Sequence, residues 1–129
     1  MPRELKSSDK NEFSIFDKFS GENILLYYRT PTTKEYIEYR VALINLASTL
    51  AEPAEITKTQ IEWAKKIMTG FGTGDFMVDG KPISSNEKDE NYYQGWRGLL
   101  EETATDILLL LTHNILEESC YAIKTVRKV

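Results

Sequence analysis

Ile24-Leu25-Leu26-Tyr27-Tyr28-Arg29-Thr30-Pro31-Thr32-Thr33-Lys34-Glu35-Tyr36 joins a short apolar run to an amphipathic pattern across a Thr-Pro pair. Residues Ile24 to Arg29 are rich in β-forming side chains and read as a strand. A helix follows at once, with two candidate starts. Thr30 can serve as N-cap with Pro31 at the first helical position, where a missing N–H costs nothing. Alternatively, Thr32 and Glu35 form an S/T-x-x-E capping box, each satisfying the other's orphan backbone donor. Downstream, Tyr36, Tyr39, Leu43, Leu46 and Leu50 recur at spacings of three and four. Ile37, Val41 and Ile44 widen that stripe, while Glu35, Glu38, Asn45 and Thr49 fall on the other side. Glu52-Pro53 is expected to end the helix, because the residue before proline avoids helical angles.

Upstream of the joint, Met1 to Glu12 are polar and aperiodic, which predicts a mobile arm. Phe13, Ile15 and Phe19 alternate weakly before the turn-like Ser20-Gly21-Glu22-Asn23. Together with Ile24–Arg29 they predict a β-hairpin, which must cover one face with helices to be stable.

Downstream, Thr57 with Gln60 offers a second capping box, and Ile61, Ala64, Ile67, Met68 and Phe71 form an apolar face. Gly70, Gly72 and Gly74 then break the pattern. Two short extended pieces, Phe76–Val78 and Lys81–Ile83, flank Asp79-Gly80, a pair that favours a type I′ turn. Ser84 to Asn91 reads as an exposed charged loop. The longest helix is expected from about Tyr93 to about Ala122, firm from Leu99, because Gly95 and Gly98 weaken its first turns. Its core face is Leu100, Ala104, Ile107, Leu108, Leu111 and Ile115, and Lys124, Arg127 and Lys128 suit its negative end. The expected fold is α+β, mainly α: an N-terminal hairpin packed on about three helices, with a β-turn element before the last. Residues 1–12 form the arm and 13–129 one globular domain, and the length of 129 residues suits this.

A net charge of −4 speaks against nucleic-acid binding, which relies on a basic stripe to neutralise phosphates. A single cysteine, Cys120, allows no intrachain disulfide and suits a reducing cytosol. The opening Met-Pro-Arg-Glu-Leu-Lys lacks a signal-peptide core, and Ile107 to Leu111 is too short to span a bilayer. A cytoplasmic protein is expected.

Candidate sites are few. On a straight helix, Glu102, Asp106, His113 and Glu117 fall within about 80° of one another, opposite the core face. A metal or acid–base site is one reading, yet Glu102 and Glu117 lie about 22 Å apart along the axis, too far to serve one ion. Charge opposite a core face is the ordinary state of an amphipathic helix, so no metal is expected. Leu109 and Leu116 share the polar side of the same wheel, seven residues apart. An aligned pair of exposed leucines points to contact with another chain; the competing reading is a helix buried on more than one side. Cys120 reads as a small core hydrophobe. Gly70-Phe71-Gly72-Thr73-Gly74-Asp75 departs from the G-x-x-x-x-G-K-[ST] phosphate loop, and no G-x-S-x-G is present. Tyr92, Tyr93 and Trp96 are expected to pack at a helix start rather than stack on bases. No catalytic residue, cofactor or small-molecule substrate is expected.

The joint resembles the N-terminal element of tail assembly chaperones of long-tailed bacteriophages. In these a short strand ends in an Arg-x-Pro-Thr-like turn that leads into a helix with Glu and an aromatic residue. Arg29, Pro31, Thr32, Glu35 and Tyr36 carry the likeness, which covers the first third of the chain. It implies a non-enzymatic protein of the bacterial host cytoplasm that binds a tape-measure-type phage tail protein and keeps it soluble. The alternative is a bacterial homo-oligomeric adaptor or regulator that associates with itself.

Overall fold

The computed structural model describes Pro2 and residues 4–117. Strands β1 (Asn11–Asp17) and β2 (Glu22–Tyr28) form the expected hairpin, in register from Asn11↔Tyr28 to Asp17↔Glu22. Two helices follow, α1 (Thr33–Ser48) and α2 (Pro53–Ile67). The chain then returns to the sheet as β3 (Met68–Phe71), antiparallel to β2, before a small hairpin of β4 (Phe76–Val78) and β5 (Lys81–Ile83). Helices α3 (Trp96–Thr103) and α4 (Thr105–Thr112) and a π-helical turn, His113–Glu117, complete the described chain. The fold is α+β and mainly α. No helix among the described residues is long and apolar enough to cross a membrane.

The second candidate start of α1 is the one used. Thr32 accepts from Glu35 N, and the Glu35 carboxylate accepts from Thr32 N, a complete capping box. The helix ends at Ser48, four residues before Glu52-Pro53. Leu46 O accepts from Ala51 N, and Leu50 takes a left-handed φ of 53°. Pro53 therefore opens α2 rather than closing α1: proline is free of cost in a first turn. Thr57 and Gln60, read as a cap, lie inside α2.

Helix α2 stops at Ile67, so Met68 and Phe71 are strand residues, not the end of its apolar face. Both are buried, and Phe71 packs edge-on against Phe76 and Trp96, at 4.9 and 5.6 Å between ring centroids. The outer edge of β3 is closed by a side chain: Ser85 Oγ accepts from Phe71 N and donates to Phe71 O. Asp79 and Gly80 both have positive φ, 51° and 76°, as the type I′ turn requires.

The long final helix is interrupted. Ala104 leaves the helical region at φ −136°, ψ 42°, and separates α3 from α4. Its expected core face survives the break: Leu100, Ala104, Ile107, Leu108 and Leu111 are buried and Ile115 packs against them. Trp63, Ala64 and Ile67 of α2 meet this face, with Ile24 and Leu26 of β2 completing the core. Thr112, fully buried, donates to Gln60 O at 2.7 Å.

Packed structure begins at Ser8, inside the stretch read as an arm. Ser8 O accepts from Thr30 N at 2.7 Å, and the Asn11 amide donates to Ser8 O, Tyr28 O and Thr30 Oγ1. Cys120, Lys124, Arg127 and Lys128 lie outside the described residues.

Candidate protein-docking surface

Helix α1 is held at two points. At its start, Arg29 at the end of β2 donates two parallel hydrogen bonds to Glu35, at 2.7 and 2.6 Å. Those bonds and the capping box hold the Glu35 carboxyl down at about 2 and raise Arg29. Further along, Tyr39 is buried at 2% exposure and packs edge-on against Trp63, 5.7 Å between centroids. Burial, with the bond its hydroxyl donates to Glu117 at 2.7 Å, pushes the Tyr39 phenol up. Gln60 donates to the same carboxylate oxygen.

These anchors use one side of α1 only. Leu43 and Leu46 are half-buried beside Tyr39. The residues expected to widen the core stripe do not: Ile37 is 58% exposed, Val41 48% and Ile44 58%. At 100° per residue these three fall within about 60° of one another, directly opposite Tyr39. They form a second apolar line with the i, i+4, i+7 spacing of a helix–helix seam. Tyr36 is also exposed, at 41%. Lys34 and Glu38, paired at 3.7 Å, flank the line on one side, and Arg40 flanks it on the other. Past the end of the helix stands Leu50, 91% exposed in a left-handed conformation that disfavours any side chain. That conformation closes the helix: Leu50 N donates to Ala47 O and Ala51 N to Leu46 O, the paired bonds of a Schellman-type stop.

The expected leucine pair does not form such a surface. Leu116 is buried at 9% and belongs to the core, while Leu109 is half-buried. The π-helical turn inserts about one extra residue per turn, which rotates Leu116 off the polar side and onto the face of Leu108 and Thr112. Glu102, Asp106 and His113 are exposed, and Glu117 is bound by Tyr39 and Gln60. Among the described residues no group of three His, Cys, Asp or Glu could hold a metal ion.

Two hollows lined by described residues have polar side chains that are committed to the fold. One hollow of about 260 Å³ contains Arg97, but its guanidinium donates to Lys65 O and Met68 O at the end of α2 and lies over the Trp96 ring. These bonds satisfy carbonyls at the end of α2, and burial lowers the Arg97 pKa. A second hollow, about 380 Å³, contains Ser85, whose hydroxyl is committed to the Phe71 backbone. Trp96 is buried, with Tyr92 and Tyr93 packed against the core, as expected of a helix start.

No protein-family model matches the chain, and no curated protein or solved structure matches it significantly.

Proposed function

We propose that this protein is a non-enzymatic protein-binding protein that holds a partner segment against the outer face of α1. The observation that carries this reading is the apolar line Ile37–Val41–Ile44, exposed on a helix whose opposite side already fills the core. A holding protein needs apolar surface that a client can cover and enough charge to stay soluble alone. The net charge of −4 serves the second need. The Arg29-Thr30-Pro31-Thr32 joint, through its resemblance to tail assembly chaperones, supports a phage or prophage role in the bacterial cytoplasm, with a long tape-measure-type tail protein as client.

Co-expression with a long helical tape-measure-type tail protein tests this. The client's soluble fraction should rise with the native chain and fall back with Ile37→Asp/Ile44→Asp, while thermal melting of the variant stays near that of the native chain. A client whose solubility ignores both the native chain and the variant rules the reading out.

A further inference from the structure

The two edges of the β1–β2–β3 sheet differ. Ser85 Oγ closes the β3 edge on Phe71, whereas the β1 edge is open. Which groups face out from β1 follows from β2. Leu25 N donates to Asp75 Oδ2 and Leu25 O accepts from Gly72 N, so both Leu25 groups point away from β1. Ser14↔Leu25 is therefore a non-hydrogen-bonded pair. The N–H and C=O of Ser14 face outward, as do those of Glu12 and Phe16 two residues to either side. Among the described residues these backbone groups have no partner.

Strand β1 also lacks the devices that usually blunt an edge. It holds no proline or lysine, and its seven pairs with β2 run without a bulge. Phe16 is 63% exposed, and Phe13 and Ile15 are only half-buried against the core. A flat, regular edge that carries apolar side chains is a template for another strand.

We infer that β1 pairs with β1 of a second copy of this chain, antiparallel and two-fold symmetric about Ser14. The occupant is argued from the strand itself, because Asn11-Glu12-Phe13-Ser14-Ile15-Phe16-Asp17 is complementary to its own reverse. Ser14 meets Ser14 of the second copy and exchanges both backbone hydrogen bonds with it. Glu12 and Phe16 exchange theirs with Phe16 and Glu12, so every outward donor finds an acceptor. Phe13 falls opposite Ile15 in a non-hydrogen-bonded pair, where side chains approach most closely. The carboxylates avoid each other: Glu12 faces Phe16, and Asp17 faces Asn11. Neither end demands a new partner. The Asp17 carboxylate already accepts from Phe19 N and Ser20 N, and the Asn11 amide already donates to Ser8 O, Tyr28 O and Thr30 Oγ1. Of the registers that pair the outward groups, this one alone uses the whole strand. Two three-stranded sheets become one continuous sheet. The inference is independent of the α1 surface.

Sedimentation of the full chain over a range of concentrations should show a dimer that grows with concentration. Ser14→Pro removes an outward donor and leaves the β1–β2 ladder intact. It should weaken the dimer by about tenfold or more, because the symmetry loses the bond twice. Cross-linking through a short bifunctional thiol reagent, in a Cys120→Ser background, reads the register and decides the matter if Ser14→Pro melts early. Ser14→Cys should cross-link to itself, and Glu12→Cys should cross-link to Phe16→Cys when the two chains are mixed. Glu12→Cys alone should not, since its two copies stand about 13 Å apart along the strands. A chain that stays monomeric throughout overturns the inference, including one whose β1 edge takes up an extended segment of a different protein instead. So does a dimer indifferent to Ser14→Pro, or Glu12→Cys cross-linking to itself as fast as to Phe16→Cys. Association lost with Ile37→Asp/Ile44→Asp but kept with Ser14→Pro also overturns it, placing the contact on α1.

Discussion

Replacing Arg29 by Met should destabilise the protein at neutral pH and flatten its response to acid, because one carboxylate carries both effects. Glu35 titrates at about 2 in the folded chain against an ordinary 4.5. A separation of that size corresponds to about 3 kcal/mol of preference for the charged form in the fold. The pair is partly wet, with the Arg29 side chain 33% exposed and Glu35 18%, so solvent screening reduces the net stabilisation to about 1–2 kcal/mol. A depressed carboxylate contributes fully above the unfolded value and loses its contribution as pH falls towards the folded one. The native chain should therefore lose about 1–2 kcal/mol from this group between about pH 5 and pH 2. In Arg29→Met the Glu35 carboxyl keeps its bond from Thr32 N but not its cation, so most of that loss appears already at pH 7. Urea unfolding of both chains at pH 7, 5 and 3 measures it: the midpoints should differ most at pH 7 and converge in acid. A constant difference between the two chains from pH 7 to pH 3 would mean that the Arg29–Glu35 pair does not carry the acid response.

Three further outcomes follow from the packing. Leu50→Gly relieves a left-handed leucine that buries almost nothing, and should raise stability by about 1 kcal/mol in thermal or urea unfolding. Gly70→Ala should destabilise, since a Cβ there lies 2.6 Å from Ser85 Oγ; Gly70→Ala with Ser85→Gly should recover the part due to the clash but not the lost bonds to Phe71, a difference that unfolding of the two variants reads. Leu116→Asp should cost several kcal/mol, on the order of 3 or more, by placing an unpaired charge in the core, whereas Leu110→Asp, at a site 40% exposed, should leave the melting temperature within a few degrees.

The features that could be read from the chain are those decided locally. The capping box at Thr32 and Glu35 and the Asp79-Gly80 turn need only a handful of neighbouring residues, and both stand where their spacing places them. What escaped depends on distant partners or on accumulated helical phase. Met68 and Phe71 continue the apolar spacing of α2, and only the free edge of β2 makes their segment a strand. Ala104, an excellent helix former, sits at a helix break, and no local signal announces it. A straight helical wheel puts Leu116 on the polar side, and the π-helical turn at His113–Glu117 shifts it into the core. The α1 surface has a visible sign in the sequence: Ile37, Val41 and Ile44 are too far around the helix from Tyr39 to share one face.

Hydrogen exchange on the protein, free and bound to a tape-measure-type client, tests the proposed docking of that client on the outer face of α1 most directly. Backbone amides from Tyr36 to Leu50 should exchange more slowly in the complex, with those of α2 and α4 behind Tyr39 unchanged and the effect absent in Ile37→Asp/Ile44→Asp. Protection confined to other elements, with α1 exchanging as it does in the free protein, contradicts it.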